Sequence, residues 1–141
     1  MRRLWFLLVA VSPVLIGCRD ATGTTQIVVG TIDAGQTLDD VIDGPVSGSA
    51  GVPLQFIVST FGNSCVSAAG AKVAVGGLLA TVTPYDQEYR GPLACLDYLK
   101  AYPRSITIVF DSVGDATVRV QGRSSYQAGL VTVEHHVRVV P

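Results

Sequence analysis

The feature that most constrains this chain is short, β-branched alternation, repeated along the sequence and cut by turn residues every 8–12 positions. Such runs present one apolar and one polar face when extended, because successive side chains on a strand point to opposite sides. Helix-period patterns are nearly absent. The clearest run is Val52–Thr60, with Leu54, Phe56 and Val58 on one face and Gln55, Ile57 and Ser59 on the other. Ser105–Phe110 places Ile106, Ile108 and Phe110 inward, and Ala116–Gln121 does the same with Ala116, Val118 and Val120. Gly129–Val140 aligns Val131, Val133, Val137 and Val139. Ala71–Val75 and Leu78–Thr83, separated by Gly76-Gly77, read as a hairpin. Gln26–Ile32 reads as a first strand, and Leu38–Asp43 is ambiguous. Pro84–Gly91 reads as a polar loop. Leu93, Leu96 and Leu99 recur three apart, so Leu93–Leu99 is the one helical candidate, ended by Pro103. About seven strands without a long helix predict an all-β, antiparallel β-sandwich.

The segment Gly51-Val52-Pro53-Leu54-Gln55-Phe56-Ile57-Val58, the later Gly114-Asp115-Ala116-Thr117-Val118-Arg119-Val120 and the final valine-rich strand resemble bacterial immunoglobulin-like domains over roughly residues 38–140. The resemblance implies an immunoglobulin-like sandwich occupying 26–141. It does not carry over the antibody-type inter-sheet disulfide, because Cys65 and Cys95 fall at strand ends or loops. No tryptophan is left for such a core either, so Phe56, Phe110 and aliphatics are expected to fill it.

Ahead of this domain stand Arg2 and Arg3, then the apolar Leu4–Val11, then Ser12 and Pro13: the parts of an export signal in the right order. The apolar run is too short to cross a hydrocarbon core of about 30 Å, which takes about 20 helical residues. Its end, Leu15-Ile16-Gly17-Cys18, resembles the bacterial lipoprotein signal. That resemblance implies a signal helix and leader at 1–17, cleavage before Cys18, lipid on the Cys18 thiol and amine, and a tether over 18–25. It points to the cell envelope, at the outer membrane or facing the periplasm, with Arg19 rather than aspartate after the cysteine. Once Cys18 is assigned to lipid, Cys65 and Cys95 remain as a pair. A disulfide between them would close a loop of about 31 residues, worth roughly 3–4 kcal/mol in the chain-entropy account; two buried thiols are the alternative.

Cleavage would also change the charge. Of ten Lys and Arg, removing Arg2 and Arg3 leaves eight against eleven acids, about −3. This argues against nucleic acid and against electrostatic attraction to an anionic lipid surface. Trp5, the only tryptophan, would leave with the leader.

Few residues suggest chemistry. His135 and His136 are adjacent, so on a strand they face opposite ways and cannot share a metal; His135 falls in the inward row. Asp33, Asp39, Asp40 and Asp43 could offer oxygens to calcium, but calcium wants six to eight and a solvated acidic loop needs no ligand. Tyr85, Asp86, Glu88, Tyr89 and Arg90 form a candidate interaction loop, as aromatic and charged groups often mark recognition surfaces. With Tyr98, Tyr102 and Tyr126 they could make a face for an envelope protein or a glycan. Asp86 and Glu88 could act as an acid–base pair, yet no nucleophile elbow, zinc motif or phosphate loop accompanies them. The expectation is a non-enzymatic, lipid-anchored display domain without cofactor. The alternative is a calcium- or carbohydrate-binding module using the 33–43 or 85–90 segments.

Overall fold

The structure is a computed structural model, which describes residues 23–35 and 37–141. The leader 1–17, Cys18 and the tether as far as residue 22 lie outside the described residues, as does the Asp39 side chain. In chain order the elements are β1 (Thr24–Val29), β2 (Thr31–Asp33), α1 (Leu38–Val41), β3 (Ile42–Asp43), β4 (Ser47–Ser49), β5 (Leu54–Gly62), β6 (Val66–Gly76), β7 (Leu79–Arg90), β8 (Lys100–Ile108), β9 (Gly114–Ser124) and β10 (Leu130–Val140). The chain is nearly all β, in two sheets. The larger runs β1-β7-β9-β10-β4, with β6 on the other edge of β7 and β2 beside β9; the smaller is β3-β5-β8.

The alternation places the core as expected. Phe56, Val58, Ile108, Phe110, Val118, Val120, Val137 and Val139 are almost fully buried and belong to one cluster. Each such side chain contributes roughly 1.5–3 kcal/mol on leaving water. Gly76-Gly77 does turn a hairpin: Gly76 pairs with Leu79, and Gly77 takes φ 61°. A two-residue loop opening on a glycine at positive φ matches the right-handed twist of the strands it joins.

Four expectations need correction. The sandwich is not wholly antiparallel, since β7 and β9, β2 and β9, and β4 and β10 all pair in parallel. The first strand is two strands broken at Gly30, and it starts at Thr24, inside the span assigned to the tether. Residues 84–90 are not a loop; alternation continues through Pro84 and the segment completes β7. Leu93–Leu99 is no helix but an irregular strap between β7 and β8. Leu93, Leu96 and Leu99 are all more than half exposed, so the spacing of three had no core to serve. Pro103 lies within β8 rather than ending an element, and β8 is an edge strand, where proline's missing N–H is tolerated.

One irregularity organises the end of the sandwich nearest the strap. β7 and β9 pair only from Leu79–Thr117 to Val82–Val120. Beyond that they diverge, and the chain from Thr24 to Asp33 fills the fork. β1 runs toward the fork along β7, and β2 runs away from it along β9. At the apex Gly30 N–H donates to Pro84 O (2.8 Å) and Gly30 O accepts from Arg123 N–H (2.8 Å). A Cβ at this residue would collide with Thr60 and lie 2.7 Å from Asp86 Oδ2, so only glycine fits the apex.

Candidate functional site: the polar end beneath the disulfide strap

Three inward-facing rows turn polar at the same end. On β5 the row Leu54, Phe56, Val58 reaches Thr60. On β7 the row Ala80, Val82, Pro84 reaches Asp86. On β8 the row Ile108, Ile106 reaches Arg104. The three polar side chains meet. Thr60 Oγ1 donates to Asp86 Oδ1 at 2.7 Å, and Arg104 Nη2 donates to the same oxygen at 2.7 Å. Arg104 also donates through Nη2 to Thr60 Oγ1 and to Tyr102 O (3.1 Å), and through Nη1 to Gly70 O (2.9 Å) and Tyr85 O. The Asp86 and Arg104 side chains are 1% and 7% exposed, so this is an interior ion pair. Burying two charges costs several kcal/mol per ion, recovered only through close pairing and further hydrogen bonds; the guanidinium's carbonyl partners supply those.

The strap from Gly91 to Leu99 covers this end. Cys65 and Cys95 form a disulfide with their Cα atoms 5.4 Å apart, which decides against free thiols. Next to it, Leu96 N–H donates to Ser64 Oγ (2.7 Å) and Ser64 N–H to Leu96 O (3.3 Å). Tyr102 Oη donates to Asn63 O at 2.5 Å in the same region. Burial, then the nearby Tyr98 phenol and Asp86 carboxylate, push the Tyr102 phenol above its ordinary 10.0.

Between strap and strands lies a cavity of about 280 Å³, lined among others by Asp86, Glu88, Asp97, Tyr98 and Arg123. Two buried polar atoms belonging to its lining residues have no partner among the described residues: Asp86 Oδ2, an acceptor, and Arg123 Nε, a donor. Such unpaired groups are rare in native interiors. A wider crevice of about 430 Å³ flanks the other side of the strap, between Cys65, Tyr89, Leu93 and Ala94.

The structure distributes the other sequence candidates as follows. Tyr85 and Tyr89 are half-buried on β7, and Arg90, exposed, bridges Glu88 at 3.2 Å. Asp86 and Glu88 lie two apart on one strand face, so they do not confront each other across a cleft. The 85–90 segment is thus a strand whose inward face lines a cavity, not a displayed loop. His135 points inward, its Nε2 3.1 Å from Pro45 O and its ring edge-on to Phe56 at 5.8 Å. His136 faces out toward Thr117. The acids of 33–43 disperse: Asp33 accepts from Ser124 (2.9 Å), while Asp40 accepts from the Thr37 amide and hydroxyl, which lower its carboxyl below the ordinary 3.8, and Asp43 is exposed on β3. Among the described residues no group of three or more His, Cys, Asp or Glu comes together as a metal site.

Sequence reasoning missed Thr60, Arg104, Asp97 and Arg123. For the first two the signal was present: extending the inward row of β5 by one step, and of β8 backward by one, reaches both. Asp97 and Arg123 come to the cavity from distant segments, and nothing local marks them. No family model, curated protein or solved structure matches this chain.

Proposed function

We propose that this chain is a lipid-anchored envelope protein displaying one immunoglobulin-like sandwich that recognises a glycan. The domain type is supported by β5 and β8 of one sheet facing the terminal β9–β10 hairpin of the other, as the two halves of such sandwiches do. The parallel β7–β9 pair makes it a variant of that plan. The anchor is supported by the Arg2–Cys18 signal pattern. Among the described residues no helix is long and apolar enough to cross a membrane.

The observation that carries the glycan is a cavity two of whose lining residues each have a buried side-chain atom without a partner among the described residues, the acceptor Asp86 Oδ2 and the donor Arg123 Nε. A hydroxyl both donates and accepts, and so suits that pair better than a cation or a simple anion does. Glu88 and Asp97 add acceptors among the residues lining the cavity. A calcium site in 33–43 has less support, since Asp33 and Asp40 each serve a separate local partner.

Two measurements test this. Calorimetric titration of the purified protein against neutral oligosaccharides should give saturable heat for at least one, weakened about tenfold or more in Glu88→Gln through loss of a charge-assisted hydrogen bond. Binding by none, or equal binding by the variant, removes the glycan site. For the anchor, Cys18→Ala should move the protein from the membrane fraction to the soluble fraction; a variant still held in the membrane refutes the lipid.

A further inference from the structure

The strap displays what soluble domains usually hide. Leu93, Leu96 and Leu99 are 69%, 66% and 53% exposed, and Tyr98 is 47% exposed. Tyr126 and Leu130, at the β9–β10 turn of the same end, are 71% and 60% exposed. The strap is tied to the sandwich. The Cys65–Cys95 bond and the reciprocal Ser64–Leu96 hydrogen bonds hold the strap's backbone against the sandwich. Exposed apolar groups gathered on one end of a domain mark a contact surface. The opposite end exposes Val52, Val75, Leu79 and Val113 but no aromatic side chain.

Where the chain enters the domain says what that surface meets. Thr24 pairs with Arg90, the residue just before the strap. A Cβ on Gly91 would lie 2.7 Å from Gly23 Cα, so the first described residue touches the start of the strap. Cys18 stands five positions before Gly23, a reach of at most roughly 18 Å when fully extended. An anchor on Cys18 therefore holds the leucine-bearing end, and not the opposite end, next to the bilayer.

Resting on the lipid anchor proposed above, we infer that the strap is a membrane-seating surface: Leu93, Leu96 and Leu99 enter the interfacial region of the membrane that holds Cys18. Tyr98 and Tyr126 suit that depth, where amphipathic rings concentrate. Arg90 and Lys100 bracket the strap, both exposed, and their long stems let the charges reach headgroups while the leucines go deeper. Asp97 is the one carboxylate within the strap and lines the cavity beside it, while Arg90 and Lys100 flank it, so the acidic balance of the processed chain is not concentrated at this contact. Seating would set the sandwich upright on the membrane, with the Gly76-Gly77 hairpin and Val113 a strand's length away, roughly 30 Å.

A processed protein with no native tryptophan makes the test direct. Full-length Leu96→Trp and Val113→Trp chains are produced in bacteria, purified from membranes and reconstituted into phosphatidylethanolamine/phosphatidylglycerol vesicles with lipids brominated high on the acyl chain. Emission from Leu96→Trp should shift to the blue and fall by roughly half, as expected for an apolar face buried roughly 5–10 Å into the interface. Emission from Val113→Trp should be unquenched. Leu93→Trp serves as a second reporter, and an intact Cys65–Cys95 bond by peptide mapping certifies each fold. Lipid mass on the Cys18 peptide with Leu96→Trp and Leu93→Trp both unquenched overturns the seating and leaves the anchor standing. A Cys18 peptide without lipid overturns both. Equal quenching of Val113→Trp also overturns it, because the strap would then have no preference for the bilayer.

Discussion

In the middle of the sandwich, Phe56, Val58, Ile108, Val118, Val120 and Val137 close the space between the sheets with apolar volume. Beneath the strap, some two residues further along the same strands, Thr60, Asp86 and Arg104 close it with an ion pair, and a disulfide holds the cover. The two regions differ because the strands do. In the middle β7 and β9 are paired; at the strap end they have diverged and β1 and β2 fill the fork. Beside the register shift between Ala68 and Gly70 in the β6–β7 pairing, Gly70 O and Tyr85 O both accept from Arg104, whose guanidinium has donors enough to serve several groups at once. An apolar side chain in place of Arg104 would remove these bonds and leave Asp86 without its cation. The lesson is that a small sandwich can change its closing chemistry along one strand, from shape to charge, where its sheet geometry changes.

Substitutions can break this contrast from either side. Asp86→Asn should destabilise by about 3–5 kcal/mol, because it strands a buried guanidinium. Phe56→Ala should cost a similar 3–5 kcal/mol through lost burial and a cavity. Phe56→Leu keeps part of the apolar volume and should recover part of that loss, leaving about 1–2 kcal/mol, whereas Asp86→Asn is already near-isosteric. Urea melts of the three decide the matter, and a mild Asp86→Asn would mean that charge does not close this end. Next in size, replacing Cys65 and Cys95 together by alanine should cost roughly 3–4 kcal/mol. It should also speed amide exchange at Leu96 more than at Val118; a uniform change would show that the strap is not separately held. Thr60→Val should cost about 1–2 kcal/mol, since Asp86 Oδ1 keeps its arginine.

The smallest effect is one of pH. The Tyr102 phenol is raised in the folded state, so its contribution is whole below the unfolded value near 10.0 and is lost as pH rises through the folded value. Thermal melts above pH 10 should therefore fall less steeply in Tyr102→Phe than in the parent, and parallel slopes would refute the assignment.

How much of this could be seen beforehand depends on the residue. The inward rows of Leu54–Val58, Ile106–Phe110, Ala116–Val120 and Val131–Val139, the Gly76-Gly77 hairpin and the inward His135 all follow from local alternation and turn chemistry. Asp86 reads as a loop residue because a carboxylate and a proline interrupt an apolar run. Its place in the row Ala80, Val82, Pro84 shows that the period of two, not the polarity, was the better guide. Leu93, Leu96 and Leu99 misled in the opposite sense: a helix-like spacing arose in a segment pinned by Cys95, where no helix forms.

Alternation is a property of one strand and settles which side chains face inward. It is indifferent to which strand lies alongside and in which direction, because a pleated strand offers the same hydrogen-bonding edges to parallel and antiparallel neighbours. From residues alone came the all-β class, the apolar core and the pairing of Cys65 with Cys95. The folded chain decided the parallel β7–β9 pair, the fork filled at Gly30, the meeting of Thr60 with Asp86 and Arg104 across sequence separations of 26 and 44 residues, and the exposed leucines beside the chain's entry. Each of these depends on contacts between segments far apart in sequence, which no local pattern records.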